Sequence, residues 1–140
     1  MAKTKVEIKT PDFDKWKLAV QELTDKVGLA IEQQARATAP RSQGETNSAH
    51  YMDRINYYPD SKTVIAEQSY SAAIEYGTAA HEIKPVTAQA LHFKQNGKDV
   101  FYKKVYHKGT KPNPVMRNAA AQTQKEIPQI WQEVQRENGL

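Results

Sequence analysis

The chain has 140 residues, a net charge of +4 and no cysteine. This length predicts a single domain, because domains most often have about 100–150 residues. The lack of cysteine excludes disulfides, thiol catalysis and cysteine-based metal centres, and it is typical of a reducing compartment. No apolar run approaches the roughly 20 residues of a membrane helix, and we expect no secretory signal because no apolar stretch follows the basic N-terminus.

The first 40 residues predict a short strand and then a long helix. Residues 3–9 alternate, with Val6 and Ile8 on one side and charged residues on the other, which is the period of a half-buried strand. A helix is predicted from about Asp12 to Thr38. Pro11 is tolerated at the start of a helix, and Pro40 ends it. Its apolar stripe follows helical spacing and contains Trp16, Val20, Leu23, Val27 and Ile31. Gly28 weakens this helix slightly, and close packing against a neighbour would explain it.

The segment from Pro40 to Asn47 is polar and has no apolar periodicity, so it is predicted to be an exposed loop. Two interpretations stay open. The loop is either a mobile segment that orders on a partner or a plain connector.

The middle of the chain has the pattern of antiparallel strands. Residues 50–58 and 62–68 flank a Pro-Asp-Ser turn and predict one hairpin. A second hairpin is predicted around Asn96-Gly97, because both residues accept positive φ. Between the hairpins, residues 69–76 form a short apolar element that ends at Gly77.

Pro114 predicts the start of a second helix, and Pro128 is expected to kink or interrupt it near Gln124. The order of the elements predicts an α+β fold, in which a long N-terminal and a C-terminal helix pack on one face of an antiparallel sheet. We expect residues 1–140 to form one such domain.

The positive charge is concentrated in residues 81–111, which contain seven basic and two acidic residues and so carry +5. Such a segment can face nucleic acid or an acidic protein, or it can simply be a solvated basic face. Lysines and aromatic residues interleave in Val100–Tyr106, a pattern that can stack unpaired bases. Tyrosines on strands are also common in cores and at protein interfaces, and we favour this second interpretation.

The sequence gives little support for catalysis. His81 and His107 flank the basic segment and could meet Glu75 or Glu82, which would suggest metal binding or general-base chemistry. Polar surface positions or loop anchoring explain the two histidines better, and a glutamate such as Glu75 most often accepts a backbone hydrogen bond at a turn. No phosphate-binding loop, dinucleotide fingerprint or nucleophile elbow is present. We therefore predict a non-enzymatic protein without cofactor or metal.

Four pieces of the sequence resemble one known family. They are Tyr70–Thr78 (Tyr-Ser-Ala-Ala-Ile-Glu-Tyr-Gly-Thr), Ala37–Pro40 with Gly44 beyond it, Ala90–Phe93 followed by Val100-Phe101, and the passage from His107-Lys108-Gly109 through Pro114-Val115-Met116 to Ala119. In order and spacing they resemble a tail-component family of long-tailed bacteriophages that is associated with head–tail joining or tail completion. The sequence departs from the family pattern after Gly44, where it is more polar, and at Val115, where phenylalanine is common.

The resemblance implies a virion structural protein of the neck rather than an enzyme. It implies a homo-oligomeric ring, commonly six-fold, between the head-completion (connector) protein and the tail tube protein, acting as tail terminator or joining adaptor. It also implies location in the virion neck or tail, with assembly in the host cytoplasm, without membrane contact and without tight binding of the passing genomic DNA. The alternative is a basic module that binds single-stranded nucleic acid.

We expect partner contacts at residues in or near the resembling pieces and in the polar loop. These residues are Tyr76, Gly77, Thr78, His81, His107, Lys108, Gly109 and Lys111, together with Arg41, Gln43 and Glu45. In a ring, the strand at Val6–Ile8 could add to the sheet edge of a neighbouring subunit.

Overall fold

The computed structural model describes residues 2–41 and 51–140. It has two long helices, α1 (Phe13–Thr38) and α3 (Val115–Glu137), and a short helix α2 (Ser71–Tyr76). The strands are β1 (Ile55–Tyr58), β2 (Thr63–Ala66), β3 (His81–Ile83), β4 (Leu91–Gln95), β5 (Lys98–Tyr102) and β6 (Val105–His107). The predicted α+β class with antiparallel strands is confirmed, and the strands pair as three two-stranded ladders, β1–β2, β3–β6 and β4–β5.

The two long helices pack against each other in antiparallel orientation. Ala35, near the end of α1, lies in the core with Val115 and Ala119 at the start of α3. At the other end, Lys15 donates a hydrogen bond to the carbonyl of Gly139. The α1 helix begins as predicted, because the Asp12 side chain accepts a hydrogen bond from the Lys15 amide at 3.1 Å.

Small residues, rather than the predicted large ones, form the buried line of α1. Ala19, Gly28 and Ala35 are buried, whereas Trp16 and Val20 of the predicted stripe are exposed. Small side chains let the backbones of packed elements approach closely, and the larger apolar residues are displaced to the flanks of the contact. Part of the apolar surface of α1 therefore faces solvent.

Gly28 provides the space for the ring of Tyr57 on β1. A Cβ atom at position 28 would overlap that ring, so the close packing expected at this glycine is confirmed. The Tyr57 hydroxyl donates a hydrogen bond to Asp25 at 2.6 Å, and Lys62 forms an ion pair with the same carboxylate at 2.8 Å. This network fastens the β1–β2 hairpin to the middle of α1.

Tyr57 is expected to titrate far above an ordinary tyrosine. Burial and the hydrogen bond to the Asp25 carboxylate raise the pKa of Tyr57 to about 12. Because the unfolded chain loses this proton near pH 10 and the folded chain keeps it, the free energy of unfolding should fall as pH rises above about 10. Following the Tyr57 ring signals by NMR against pH measures this directly.

The control for this titration is a second aspartate of α1. Asp25→Asn should lower the Tyr57 pKa toward 10, while Asn at the exposed position Asp14 should leave it unchanged. A Tyr57 midpoint near 10 in the unaltered chain would contradict the burial described here.

Side chains of α1 cover the outer edge of β1. Arg36 Nε donates to the Ile55 carbonyl at 2.8 Å, and the Tyr57 amide donates to Glu32 at 2.6 Å. These backbone groups therefore point away from β2. The ladder pairs Ile55 with Ala66 and Tyr57 with Val64, so the backbone groups of Ala66 and Val64 point outward on the opposite side.

The β4–β5 hairpin confirms the turn predicted at Asn96-Gly97. These residues have φ of 52° and 77°, the positive values that a tight hairpin turn requires. The hairpin makes no extensive contact with another helix or strand among the described residues. Both of its faces are therefore largely open.

The strand predicted over residues 3–9 is wrong for the chain by itself. Residues 2–11 form neither helix nor strand, and all are exposed, Val6 and Ile8 to more than four-fifths. A strand requires a partner edge, and no described residue of the same chain pairs with this segment.

The interruption predicted at Pro128 is also wrong. The α3 helix continues through Pro128 to Glu137. Pro128 and the residue four positions before it, Gln124, are both exposed, so the carbonyl that loses its hydrogen bond faces solvent and water can satisfy it.

Candidate partner-contact site

Two predicted partner-contact segments, about 30 positions apart in the sequence, lie side by side. The β3–β6 ladder places His81 opposite His107. Beyond it, Thr78 and Thr110 form a bridge in which each amide donates to the other carbonyl, at 3.1 and 3.0 Å, and the two hydroxyls lie 3.1 Å apart. The structure thus joins the end of α2 to the basic loop that precedes α3.

Gly77 and Gly109 allow this close approach. They have φ of 72° and 84°, which L side chains rarely adopt. A Cβ at Gly77 would lie 2.5 Å from the Thr110 carbonyl oxygen, and a Cβ at Gly109 would overlap the Thr78 carbonyl oxygen. Each glycine therefore faces the backbone of the other segment.

The two histidines meet, as the sequence suggested they could. Their ring centroids are 5.1 Å apart. The Nδ1 of His81 lies 2.9 Å from the Ala79 carbonyl, and the Nδ1 of His107 accepts the Gly109 amide at 3.0 Å. Both rings are thus held by the backbone of their own loop. Within residues 2–41 and 51–140, no group of three or more His, Asp or Glu is placed to hold a metal ion.

An apolar groove of about 460 Å³ opens beside this junction. Its walls come from α2, the β3–β6 ladder and the basic loop, and they include Tyr70, Ile74, His81, His107 and Lys111. Pro40 also lines the groove, and the exposed Arg41 follows it directly. Gln43 and Glu45, the other predicted contacts of the polar loop, lie outside the described residues.

Tyr76 and Lys108 complete the surface around the junction, since both side chains are exposed. The Arg117 guanidinium lies over the Tyr76 ring, 5.2 Å from its centroid, which is the geometry of a cation–π contact. The predicted contacts for which coordinates are described therefore lie near the junction, from Arg41 on one side to Tyr76 on the other.

Glu75 has a structural position that the sequence only partly indicated. It is buried, and its two carboxylate oxygens accept the amides of Met116 and Arg117 at 2.9 and 3.0 Å in the first turn of α3. Arg117 Nε also donates to this carboxylate at 3.2 Å. Negative charge at a helix N-terminus is stabilising, because the free amides point toward it. Of the two sequence interpretations of Glu75, backbone acceptance is the one observed.

The β4–β5 hairpin carries aromatic rings on both faces. His92 stacks on Phe101 with centroids 4.6 Å apart, and Phe93 stacks on Tyr102 at 5.5 Å. His92 also pairs with Asp99 at 3.1 Å. Cross-strand pairs of this kind stabilise a hairpin that has few other contacts.

Comparison of the chain with protein-family models, with curated proteins and with solved structures gave no match. The resemblance to phage tail components therefore depends on the order of the sequence motifs alone. Among the residues for which coordinates are described, no helix is both long enough and apolar enough to cross a membrane.

Proposed function

We propose that this chain is a structural subunit of a bacteriophage neck, a tail-completion protein that joins the head-completion proteins to the tail tube as a homo-oligomeric ring. The proposal combines the sequence resemblance with one physical observation. Among the described residues, exposed large apolar side chains outnumber buried apolar ones.

The core of the described chain is small. Seven apolar residues are buried, three of them alanines, while eighteen large apolar or aromatic side chains are exposed. Burial of these side chains against another protein surface is favourable, because it releases water. The most exposed of these side chains belong to different parts of the chain: Val6, Ile8, Phe13, Tyr76, Val86, Phe101 and Tyr106. Their spread over several elements favours a subunit with neighbours on more than one side.

Such a distribution suits a ring. A ring forms when one surface patch binds a different patch of the next copy and the rotation closes. The basic loop at 107–113 and the segment around Arg41 lie beside one groove, so together they can meet a head or tail protein at one face of the ring.

The particle phenotype tests the function. Virus particles assembled without this protein should show unjoined heads and tails, or tails of incorrect length, in negative-stain images. Supplying the unaltered chain from a second gene copy should restore joined particles. Infectious particles of normal appearance in its absence would contradict the proposal.

Self-association tests the physical basis separately. Native mass spectrometry of the purified chain across a concentration range should show monomer when dilute and a defined oligomer when concentrated. A chain that stays monomeric at millimolar concentration would exclude a ring held by its own contacts.

The aromatic hairpin favours a second candidate, binding of single-stranded nucleic acid. Phe101 is 66% exposed on β5, and lysines on both sides of it carry the positive charge of this region. Fluorescence anisotropy with short single-stranded DNA should then show affinity that falls steeply with salt, since bound cations are released from the phosphates. Phe101→Ala should weaken it about tenfold, whereas Ala at the equally exposed Phe13 should not. No binding at low salt excludes this candidate.

A further inference from the structure

We propose that the N-terminal arm, residues 3–9, pairs as an added strand with the free edge of β2 in a second copy of this chain. The inference depends on the self-association proposed above and specifies which segments meet. It follows from the shape of an unfilled groove, from the composition of the arm and from the length of α1.

The acceptor is a groove of about 450 Å³ that follows the outer edge of β2. Three successive β2 residues, Val64 to Ala66, line one wall, so the groove follows the edge of the strand rather than one of its faces. Residues of α2 and α3 form the opposite wall, including Tyr76 and Met116. The backbone groups of Val64 and Ala66 point outward from the ladder. They form no hydrogen bond with another described residue.

The arm has the alternating apolar and charged pattern of a β-strand. Val6 and Ile8 point to one side, and Lys5 and Glu7, which form an ion pair, lie together on the other. In the added strand, Val6 and Ile8 enter the groove on the side of Val64 and Ala66, where they bury apolar surface. The charged residues of the arm then stay on the solvent side, next to the exposed Ile65.

The charges of the two segments are complementary. The arm, residues 3–9, has three lysines and one glutamate, a net charge of +2, and residues 51–80 have four acidic and two basic residues. Arg117 on the opposite wall of the groove adds one positive charge, so the acceptor side carries −1, which attracts the arm, whereas two arms repel each other.

The arm cannot reach this edge in its own chain. Asp12 precedes the first turn of α1, and Val64 pairs with Tyr57, whose ring contacts Gly28. The distance from Asp12 to Gly28 along the helix axis is about 24 Å at 1.5 Å per residue. Val6 is six residues from Asp12, which spans at most about 20–22 Å even when fully extended. Ile8 reaches less far still. The strand that fills the groove must therefore come from another copy.

Engineered cysteines test this pairing, because the natural chain has none. One variant carries Ile65→Cys and the other carries a single cysteine in the arm, and the two are mixed under mild oxidation. Cross-linked heterodimer should form efficiently with Lys5→Cys or Glu7→Cys and poorly with Val6→Cys or Ile8→Cys, a period of two that random collision cannot produce. Val86→Cys, at a site that is 96% exposed, is the matched control and should not cross-link.

The side chains of the arm provide a second readout in the full-length chain. Val6→Lys combined with Ile8→Lys should weaken self-association at least about tenfold. At concentrations where the chain is monomeric, the unfolding transition should stay unchanged, since the side chains of the arm are exposed there. Val86→Lys should change neither.

The outcomes separate this inference from the proposed function. Self-association without alternating cross-links, or a disulfide within one chain in the double variant Glu7→Cys with Ile65→Cys, overturns the arm pairing and leaves the oligomer intact. A chain that never self-associates overturns both.

Discussion

Replacing Gly109 with alanine is expected to destabilise the protein by at least about 3 kcal/mol. Two costs combine at this position. A side chain at positive φ costs roughly 1–2 kcal/mol, and the added Cβ would overlap the Thr78 carbonyl oxygen, so the backbone bridge between Thr78 and Thr110 must open. Urea unfolding followed by circular dichroism measures the change.

Gly97 provides a matched control for Gly109. It has nearly the same φ, 77° against 84°, but an added Cβ there would have nothing within 4 Å. Gly97→Ala should therefore cost only the conformational part, about 1–2 kcal/mol. Equal losses at the two positions would show that the segments around Thr78 and Thr110 do not lie in contact. Gly77→Ala should behave like Gly109→Ala, because its Cβ faces the Thr110 carbonyl oxygen.

Replacing Glu75 with alanine is expected to lower the free energy of unfolding by about 3 kcal/mol. The substitution removes two charge-assisted hydrogen bonds from the first turn of α3 and the partner of Arg117 Nε. Glu75→Gln keeps the size and one acceptor oxygen, so it should cost less, but its amide NH₂ cannot accept from a backbone amide.

A surface glutamate is the control for Glu75. Glu82 forms only exposed ion pairs with Lys84 and Lys104, at 3.6 and 3.8 Å, so Glu82→Ala should change stability by no more than about 0.5 kcal/mol. A loss at Glu75 as small as that at Glu82 would contradict its role as the cap of α3. Replacing Glu75 should also loosen the junction, since α2 precedes Gly77 directly.

Local signals in the sequence identified the regular elements well. Asp12 and Pro40 bounded α1, and Asn96-Gly97 marked the β4–β5 turn, because capping and positive φ depend on a few adjacent residues. Residues 69–76 were recognised as a separate apolar element, yet six of them form a helix. A stretch that short carries too few residues for helical and strand periods to be distinguished.

Contacts between distant segments could not be predicted from local sequence patterns. The β3–β6 ladder joins two three-residue strands whose side chains are mostly exposed, so neither strand has an apolar period to detect. The resemblance marked Gly77 and Gly109 separately, but only the structure shows that they face each other's backbone. The error over residues 3–9 has a related cause, since alternation reports what a segment can pair with and does not report whether an edge lies within its reach.

The two α1 side chains that cover β1 have a consequence for aggregation. A ladder with two open sides templates stacking without limit, which is how amyloid fibres grow. Arg36 and Glu32 occupy the backbone groups of one side through Ile55 and Tyr57. Arm pairing as proposed above would occupy the remaining side, and the added strand would present an edge of its own. Because α1 closes one side, this ladder can extend in only one direction, which restricts fibre growth along this sheet.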